Sequence, residues 1–215
     1  MKPLELLLID CSPRRERSTS RHLGRELIAP IEAHLGRTVR LTERRIGIEP
    51  LPPLSAEYAE SLVVPIAEAR ARYGPSLAVS DELIAELDRA DLLVISTPVH
   101  NFTVPAALKT WIDYVVRRDV TFHTTPQGKV GLLRDRPTLV AVSAGGGMFR
   151  EPPTQPDFFR PYLRAALGVI GLKSVSFAAS TGLAFSEAPL AVVEADARKW
   201  LQSSLDALVP SFAPA

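Results

Sequence analysis

Residues 4–10 read LELLLID, an apolar run of strand length that ends in an aspartate. Two further runs share this character: residues 91–97 read DLLVIST and residues 137–143 read PTLVAVS. Short, nearly continuous apolar runs are typical of parallel strands that are buried on both faces of a sheet. The three runs therefore predict the centre of a parallel sheet.

Weaker signals complete an alternation of strands and helices. Residues 39–41 and 175–179 predict two more strands, and residues 120–131 predict a loose hairpin. Helices are expected at residues 18–35, 55–73 (kinked or divided at Pro65), 81–87, 105–117 (with Pro105 in the first turn), 158–170 and 187–208. This alternation predicts one α/β domain over residues 1–215, with helices on both faces of a doubly wound, five-stranded parallel sheet.

The sequence also favours one order of the five strands. No G-x-G-x-x-G follows the first apolar run, which favours the flavodoxin-like order 2-1-3-4-5 over the six-stranded dinucleotide-binding order. In both arrangements ligands bind beyond the carboxyl ends of the strands. Residues 11–20, 98–104 and 143–150 follow the three apolar runs, and they are the candidate binding segments. We refer to them as the first, second and third loops.

Composition excludes several classes of protein. Hydrophobic residues make up 46% and charged residues 23%, which excludes disordered and fibrous chains, and the net charge of +1 argues against a dedicated nucleic-acid binder. No stretch approaches about 20 apolar residues without a charge, so no membrane span is expected. Glu5 and Asp10 interrupt the first apolar run, which is unlike a signal peptide. The single cysteine, Cys11, excludes an internal disulfide and fits a reducing cytoplasm.

The first loop reads CSPRRERSTS over residues 11–20 and leads into a predicted helix. Hydroxyl groups and free backbone N–H groups at a helix N-terminus can bind an anion. A phosphate site is therefore predicted at Ser12, Ser18, Thr19 and Ser20, with ordinary helix capping by one serine as the alternative. The chain contains no G-x-x-x-x-G-K-[ST], so the loop is not a Walker loop.

The second loop reads PVHNFTV over residues 98–104 and is followed by Pro105. Asn101 offers a donor and an acceptor beside an aromatic ring, a combination that suits a planar heteroaromatic ligand. The alternative is a strand-to-helix turn with an asparagine cap. The predicted binding residues are Pro98, Val99, His100, Asn101 and Phe102. No catalytic side chain is named, because a lone histidine in a turn, such as His100, more often serves packing and hydrogen bonding.

The third loop begins SAGGG at residues 143–147. Glycines let a backbone approach a ligand closely and expose its N–H groups, so Ser143, Ala144, Gly145 and Gly146 are predicted binding residues. A flexible connector is the alternative. All three loops follow strand ends on one edge of the predicted sheet, which favours a ligand site. The histidines lack metal-ligand spacing, so no metal is expected.

The residues of these loops resemble a known family, the FMN-dependent NADH:quinone oxidoreductases called azoreductases. The most specific stretch is N-F-x-x-P-x-x-L-K-x-W-I-D at residues 101–113. Shorter matches include PVHNF at residues 98–102 and PYL at residues 161–163. The likeness covers nearly the whole chain and is densest from residue 91 to residue 182.

The resemblance implies that FMN binds non-covalently at the strand ends. Ser12 and residues 18–20 match the positions that bind the FMN phosphate, residues 99–102 match the turn along the isoalloxazine ring, and residues 143–146 match the loop at its polar edge. It also implies a ping-pong transfer of two electrons from NADH or NADPH to a quinone or azo compound. Which nicotinamide donor is used stays open, because no ribose-reading residue can be identified. A flavodoxin-like electron carrier and a reductase that supplies reduced FMN to a partner are the alternatives.

The resemblance further implies a homodimer. We expect residues 50–75 and 120–131 to complete the neighbouring subunit's site, because they lie outside a minimal five-stranded domain and carry apolar residues. Thr124 and Val169 stand where some members of the family place aromatic residues, and Val99-His100 replaces a common Met-Tyr pair; these departures bear on substrate range. The apolar residues expected at the interface are Leu51, Leu54, Tyr58, Leu62, Val120, Phe122 and Leu132.

Overall fold

A computed structural model describes residues 2–14 and 18–180. Its main sheet has five parallel strands in the order β2-β1-β3-β6-β7, which confirms the predicted flavodoxin-like order. A separate antiparallel pair, β4-β5, confirms the predicted hairpin. The elements are β1 (Leu4–Asp10), α1 (Thr19–Glu26), α2 (Ile28–Leu35), β2 (Val39–Arg44), α3 (Ala56–Ser61), α4 (Ile66–Arg89), β3 (Leu92–Pro98), α5 (Ala106–Val115), β4 (Phe122–Thr125), β5 (Gly128–Gly131), β6 (Thr138–Ser143), α6 (Phe159–Val169) and β7 (Val175–Ser180).

The sheet is buried on both faces, as the three apolar runs predict. Successive side chains of a strand point to opposite faces, so each central strand contributes to two apolar layers. Leu6 and Leu8 of β1 pack with Leu27 and Ile31 beside α1 and α2. Leu7 faces the larger cluster that α4, α5 and α6 complete. The sheet therefore has a helical layer on each side.

The helix predicted over residues 18–35 is two helices, so that prediction was wrong in one respect. Helix α1 ends at Glu26, Leu27 lies between the helices, and α2 starts at Ile28. Pro30 has no N–H to donate to the carbonyl group of Glu26, which interrupts a continuous hydrogen-bond ladder. In the observed arrangement Pro30 lies in the first turn of α2, where a missing donor costs little.

Pro65 and Pro75, which lie in the helical region after β2, have different effects. Pro65 separates α3 from α4, as predicted. Residues 81–87 are helical, as predicted, and lie in the part of α4 (Ile66–Arg89) that follows a break in helical geometry at Tyr73, so their helix starts earlier than residue 81. Pro75 lies inside α4, which kinks at Tyr73 (φ −123°, ψ 17°) and then continues. A kink accommodates the lost hydrogen bond while the buried apolar side of the helix stays on the sheet.

Smaller differences concern the ends of elements. The second strand reaches Arg44 rather than residue 41. Helix α5 begins at Ala106 and ends at Val115, with Pro105 as the N-cap rather than a first-turn residue. The helix predicted at residues 187–208 lies outside the described residues. Within the described residues, no helix combines the length and apolar character needed to cross a membrane.

Hydroxyl groups from three separate segments hold the C-terminal end of α5. Tyr58 Oη donates to the carbonyl oxygens of Asp113 and Tyr114 at 3.2 and 3.3 Å. Ser80 Oγ donates to the carbonyl oxygen of Tyr114 at 2.7 Å, and Thr121 Oγ1 donates to that of the next residue at 2.7 Å. The last carbonyl groups of a helix have no partner within it. This network therefore fixes the end of α5 that is remote from the second loop.

The apolar residues expected at a subunit interface divide into two groups. Tyr58 and Phe122 are buried within the chain, with 1% and 7% of their surface exposed, so the prediction that they face a partner was wrong. Tyr58 packs against Tyr114, with ring centroids 4.9 Å apart. Leu54 and Leu132 keep 40% and 41% of their surface exposed. The other three are partly buried and pack against the larger core cluster; they are Leu51, Leu62 and Val120.

Candidate functional site

The three loops lie side by side at one edge of the sheet. Strands β1, β3 and β6 are neighbours, so their carboxyl ends meet there. The N–H of Cys11 donates to the carbonyl oxygen of Ser96 at 2.8 Å, and that of Val99 donates to the carbonyl oxygen of Ser143 at 2.8 Å. The first bond ties the first loop to β3, and the second ties the second loop to the third. The structure thus brings the three predicted segments together.

In the first loop, two serine hydroxyls lie at the start of α1. Ser18 is the N-cap residue, and its Oγ accepts a hydrogen bond from the N–H of Arg21 at 3.1 Å. Ser20 Oγ lies 3.2 Å from Ser18 Oγ, and both residues are buried. Ser12 is also buried, and its Oγ accepts from the N–H of Arg14 at 3.3 Å. Thr19 is the first residue of α1, and its side chain lies outside the described part of the chain.

A buried ion pair supports this loop. Asp10 is fully buried at the end of β1, and its carboxylate pairs with the guanidinium of Arg21 in α1. The other carboxylate oxygen of Asp10 accepts from the N–H of Ser12 at 3.1 Å. A buried charge requires such partners, so the pair holds α1 against the strand end. Sequence reasoning missed the pair, although an aspartate closing an apolar run was a signal.

The turn after β2 also packs against the first loop. The N–H of Gly47 donates to the carbonyl oxygen of Asp10 at 3.0 Å. A Cβ atom at Gly47 would lie only 2.4 Å from the carbonyl carbon and oxygen of Ser12. Because backbone atoms cannot yield as a flexible side chain can, only glycine fits this contact. Sequence reasoning missed it, since no local pattern joins residues 12 and 47.

The second loop contains a strained turn. The N–H of His100 donates to the carbonyl oxygen of Thr103 at 3.0 Å, and the N–H of Thr103 donates to the carbonyl oxygen of His100 at 3.1 Å. The φ angles of Asn101 and Phe102 are 46° and 72°, the sign pattern of a type I′ turn. A positive φ is unfavourable for a bulky residue such as phenylalanine. The turn presents the Phe102 side chain to solvent, with 44% of the residue's surface exposed. Strain of this kind is concentrated at functional sites.

The third loop follows β6 and is covered by a later segment. Ser143 is half-buried, Ala144 is buried and Gly145 is exposed. A Cβ atom at Gly146 would lie 2.2 Å from Oε1 of Gln155. The glycine therefore permits a close approach, but the group observed there is the Gln155 carboxamide, which sequence reasoning did not identify.

Two titratable side chains at this edge, Cys11 and His100, differ in burial. Cys11 is buried, and burial raises the pKa of its thiol well above the ordinary value of 9.0, with a further contribution from the negative charge of Asp10. Cys11 is therefore a protonated thiol at neutral pH. His100 is exposed. Among residues 2–14 and 18–180, no group of three or more histidine, cysteine, aspartate or glutamate residues is arranged to hold a metal ion.

The strand order and the three loops at the carboxyl edge define a flavodoxin-like α/β protein. A family model described as a flavodoxin-like fold matches residues 5–203. FMN-dependent NADH:quinone oxidoreductase 4 of Pseudomonas fluorescens is 44% identical over 209 residues, which is 97% of each chain. FMN-dependent NADH:quinone oxidoreductase 5 of Burkholderia lata is 46% identical over 188 residues, 87% of this chain and 90% of that protein.

Solved structures share the fold. An azoreductase from Bacillus anthracis strain Sterne has a TM-score of 0.79 and 21% identity, covering 94% of this chain and 99% of that one. An FMN-dependent NADH-azoreductase of Bacillus anthracis, solved in complex with FMN, has a TM-score of 0.77 and 20% identity, covering 95% of this chain and 99% of that one. The chain belongs to the flavodoxin-like family of FMN-dependent NADH:quinone oxidoreductases. The resemblance seen in residues 101–113 is thereby confirmed.

Proposed function

We propose that this protein is a cytoplasmic, FMN-dependent oxidoreductase that transfers two electrons from NADH or NADPH to quinones or azo compounds. The observation that carries the proposal is the 44% identity, over 97% of the chain, to a relative named for FMN-dependent NADH:quinone oxidoreduction. When bound, FMN would supply the hydride and electron chemistry, while the protein supplies binding, orientation and electrostatics.

The first loop fits the terminal phosphate of FMN. The buried hydroxyl groups of Ser18 and Ser20 lie at the start of α1, where free N–H groups and the helix dipole favour an anion. Ser12 and Thr19 complete the proposed set. The chain has no G-x-G-x-x-G fingerprint for a pyrophosphate, which favours FMN over FAD.

The second and third loops fit the flavin ring. Residues 98–102 are proposed to lie along the ring, with the exposed Phe102 side chain as an apolar wall and the amide of Asn101 as a polar group. Backbone groups of residues 143–146 are proposed to meet the polar edge of the ring. We assign no catalytic side chain, so the protein's part is to bind, orient and exclude water.

We also propose that the protein is a homodimer. Exposed apolar residues occur in both segments that lie outside a minimal five-stranded domain: Leu54 and Val63 in one, and Val130 in the other. Closed two-fold interfaces are the commonest way to bury such surfaces. Sedimentation should give a dimer, and a stable, fully active monomer would contradict this part of the proposal.

Steady-state kinetics test the proposed reaction directly. The purified protein, mixed with NADH and benzoquinone and no other protein, should consume NADH, and the supernatant after heating should contain FMN. The nicotinamide and the oxidant are proposed to use one cavity in turn, so double-reciprocal plots against both substrates should be parallel. Intersecting plots would contradict the ping-pong order. Bound FMN without turnover would favour an electron carrier.

A further inference from the structure

Arg44 is the last residue of β2 and Arg45 follows it, and the surroundings of the two arginines differ. Arg44 donates to Glu86 in α4 at 2.7 and 2.8 Å and also pairs with Glu82. Arg45 is half-buried, and its Nε atom is buried without a hydrogen-bond partner among the described residues. A buried donor without an acceptor is unfavourable, so the Arg45 guanidinium requires an explanation.

The direction of Arg45 follows from the alternation of side chains along a strand. Glu43 pairs with Arg25 of α1 at 2.8 Å, and Arg44 points to α4 on the other face. The next residue, Arg45, is therefore expected to return to the α1 face. The register pairs Ile9 with Arg44, which places Asp10 of β1 next to Arg45. Asp10 also points to α1.

The turn that starts at Arg45 is fixed against the first loop. The N–H groups of Ile48 and Glu49 donate to the carbonyl oxygen of Arg45 at 3.0 and 2.8 Å. Within this turn, Gly47 lies directly on the backbone of Ser12. Arg45 is therefore two residues from a contact with the first loop.

The charges on this face leave Arg45 without a counterion among the described residues. The carboxylate of Asp10 is already engaged by Arg21 and by the N–H of Ser12. On the α1 face, the guanidinium of Arg45 would add positive charge to the edge of the sheet at which Ser18 and Ser20 lie. A phosphate monoester carries the charge and the acceptor oxygens that such a guanidinium binds.

We propose that Arg45 binds the terminal phosphate of the flavin together with Ser12, Ser18 and Ser20, and so selects FMN over unphosphorylated riboflavin. This inference rests on the proposed function, because it assigns a ligand contact within the same site. It adds a residue that belongs to none of the three loops.

Comparing FMN with riboflavin isolates the contribution of the phosphate. Full-length protein freed of flavin is titrated with each ligand, and the dissociation constant is read from the quenching of flavin fluorescence. Arg45→Ala should raise the dissociation constant for FMN by about 10- to 100-fold, the loss expected for hydrogen bonds to a charged group. The constant for riboflavin should stay within about twofold, because riboflavin carries no phosphate for the guanidinium to bind.

Two further variants complete the experiment. Arg40→Ala removes an exposed arginine of β2 that pairs with Glu5, and it should leave both constants unchanged. Arg45→Gln keeps a long polar side chain without the charge, and it should show the same selective loss of affinity for FMN. It takes the place of the alanine variant if that variant does not fold.

The outcomes separate this inference from the proposed function. If the variants of Arg45 bind FMN as tightly as the parent protein, or if riboflavin binding falls in parallel with FMN binding, the assignment of Arg45 is overturned. If the parent protein binds neither flavin, the proposed function itself fails.

Discussion

The backbone N–H of Val99 donates to the carbonyl oxygen of Ser143 at a distance of 2.8 Å. Val99 lies one residue beyond Pro98, the last paired residue of β3. The second and third loops are therefore hydrogen-bonded to each other as well as being carried by neighbouring strands. A shift of one loop alone would break this hydrogen bond. The strained turn at Asn101 and Phe102 is held between this bond and the start of α5.

Phe102→Gly should raise the stability of the protein while weakening its binding of FMN. Glycine adopts φ 72° without steric cost and creates an Asn-Gly pair, the preferred type I′ sequence, so the free energy of unfolding should rise by about 1 kcal/mol. FMN binding should weaken because the apolar wall is lost. Urea unfolding and flavin titration measure the two effects. Phe158→Gly, at another exposed phenylalanine with φ −97°, is the control and should neither stabilise the protein nor alter FMN affinity. A less stable Phe102 variant would contradict the argument.

Replacing Ser18 and Ser20 together by alanine should raise the dissociation constant for FMN by at least about 100-fold, since each hydrogen bond to a charged group contributes about 1.5–3 kcal/mol. Loss of the Ser18 cap should also lower the free energy of unfolding by about 1 kcal/mol. Ser55→Ala is the matched control, because Ser55 caps α3 by accepting from the N–H of Tyr58 at 3.1 Å. Ser55→Ala should lower the free energy of unfolding without changing the dissociation constant for FMN. An unchanged FMN constant in the double variant would place the phosphate elsewhere.

Gly47→Ala should disturb the first loop from the side of β2. Its Cβ atom would lie 2.4 Å from the backbone of Ser12, so we expect a loss of about 1–3 kcal/mol in the free energy of unfolding and weaker FMN binding. Gly74→Ala is the control, since a Cβ atom there has no neighbour within 4 Å. Thermal melts and flavin titrations compare the two. If the two variants had the same thermal stability and the same affinity for FMN, the Gly47 contact would be unimportant.

Cys11 should make the protein less stable in alkali. Its pKa is raised in the folded protein, chiefly by burial and then by Asp10, so the unfolded chain loses the thiol proton first as pH rises above 9.0. The unfolded state then binds fewer protons than the folded state, and the free energy of unfolding falls, by up to about 1.4 kcal/mol per pH unit. Cys11→Ala removes this contribution. Urea unfolding from pH 8 to pH 10.5 should therefore give a shallower slope for the variant, and equal slopes would refute the expectation.

The sheet could be predicted because its signals are local. A strand such as residues 4–10 is buried on both faces, so its apolar character appears in consecutive residues. The positions of the loops then follow from the strand ends. The effects of prolines were less predictable. Pro65 and Pro75 look alike in sequence, but Pro65 lies in the gap between α3 and α4, whereas Pro75 lies two residues after the kink at Tyr73, where the helix resumes.

The support of the site could not be predicted from local patterns. The Asp10–Arg21 pair joins a strand to a helix, and Gly47 meets Ser12 across the sheet edge. Such contacts depend on which elements become neighbours, and a single sequence carries no periodic signal for them. The serines of the first loop were identifiable because they lie together before a helix.

The hydroxyl network at the end of α5 limits how this fold can be recombined. Residues 50–65 resemble an exchangeable insertion, yet Tyr58 supplies one of the hydroxyl groups that bind the helix. A chimera that replaced these residues with a short linker would remove hydrogen-bond donors from the last carbonyl groups of α5. The helix that follows the turn at Asn101 and Phe102 would then be less firmly held. Loop swaps intended to change substrate range should therefore transfer residues 50–65 and α5 as one inherited block.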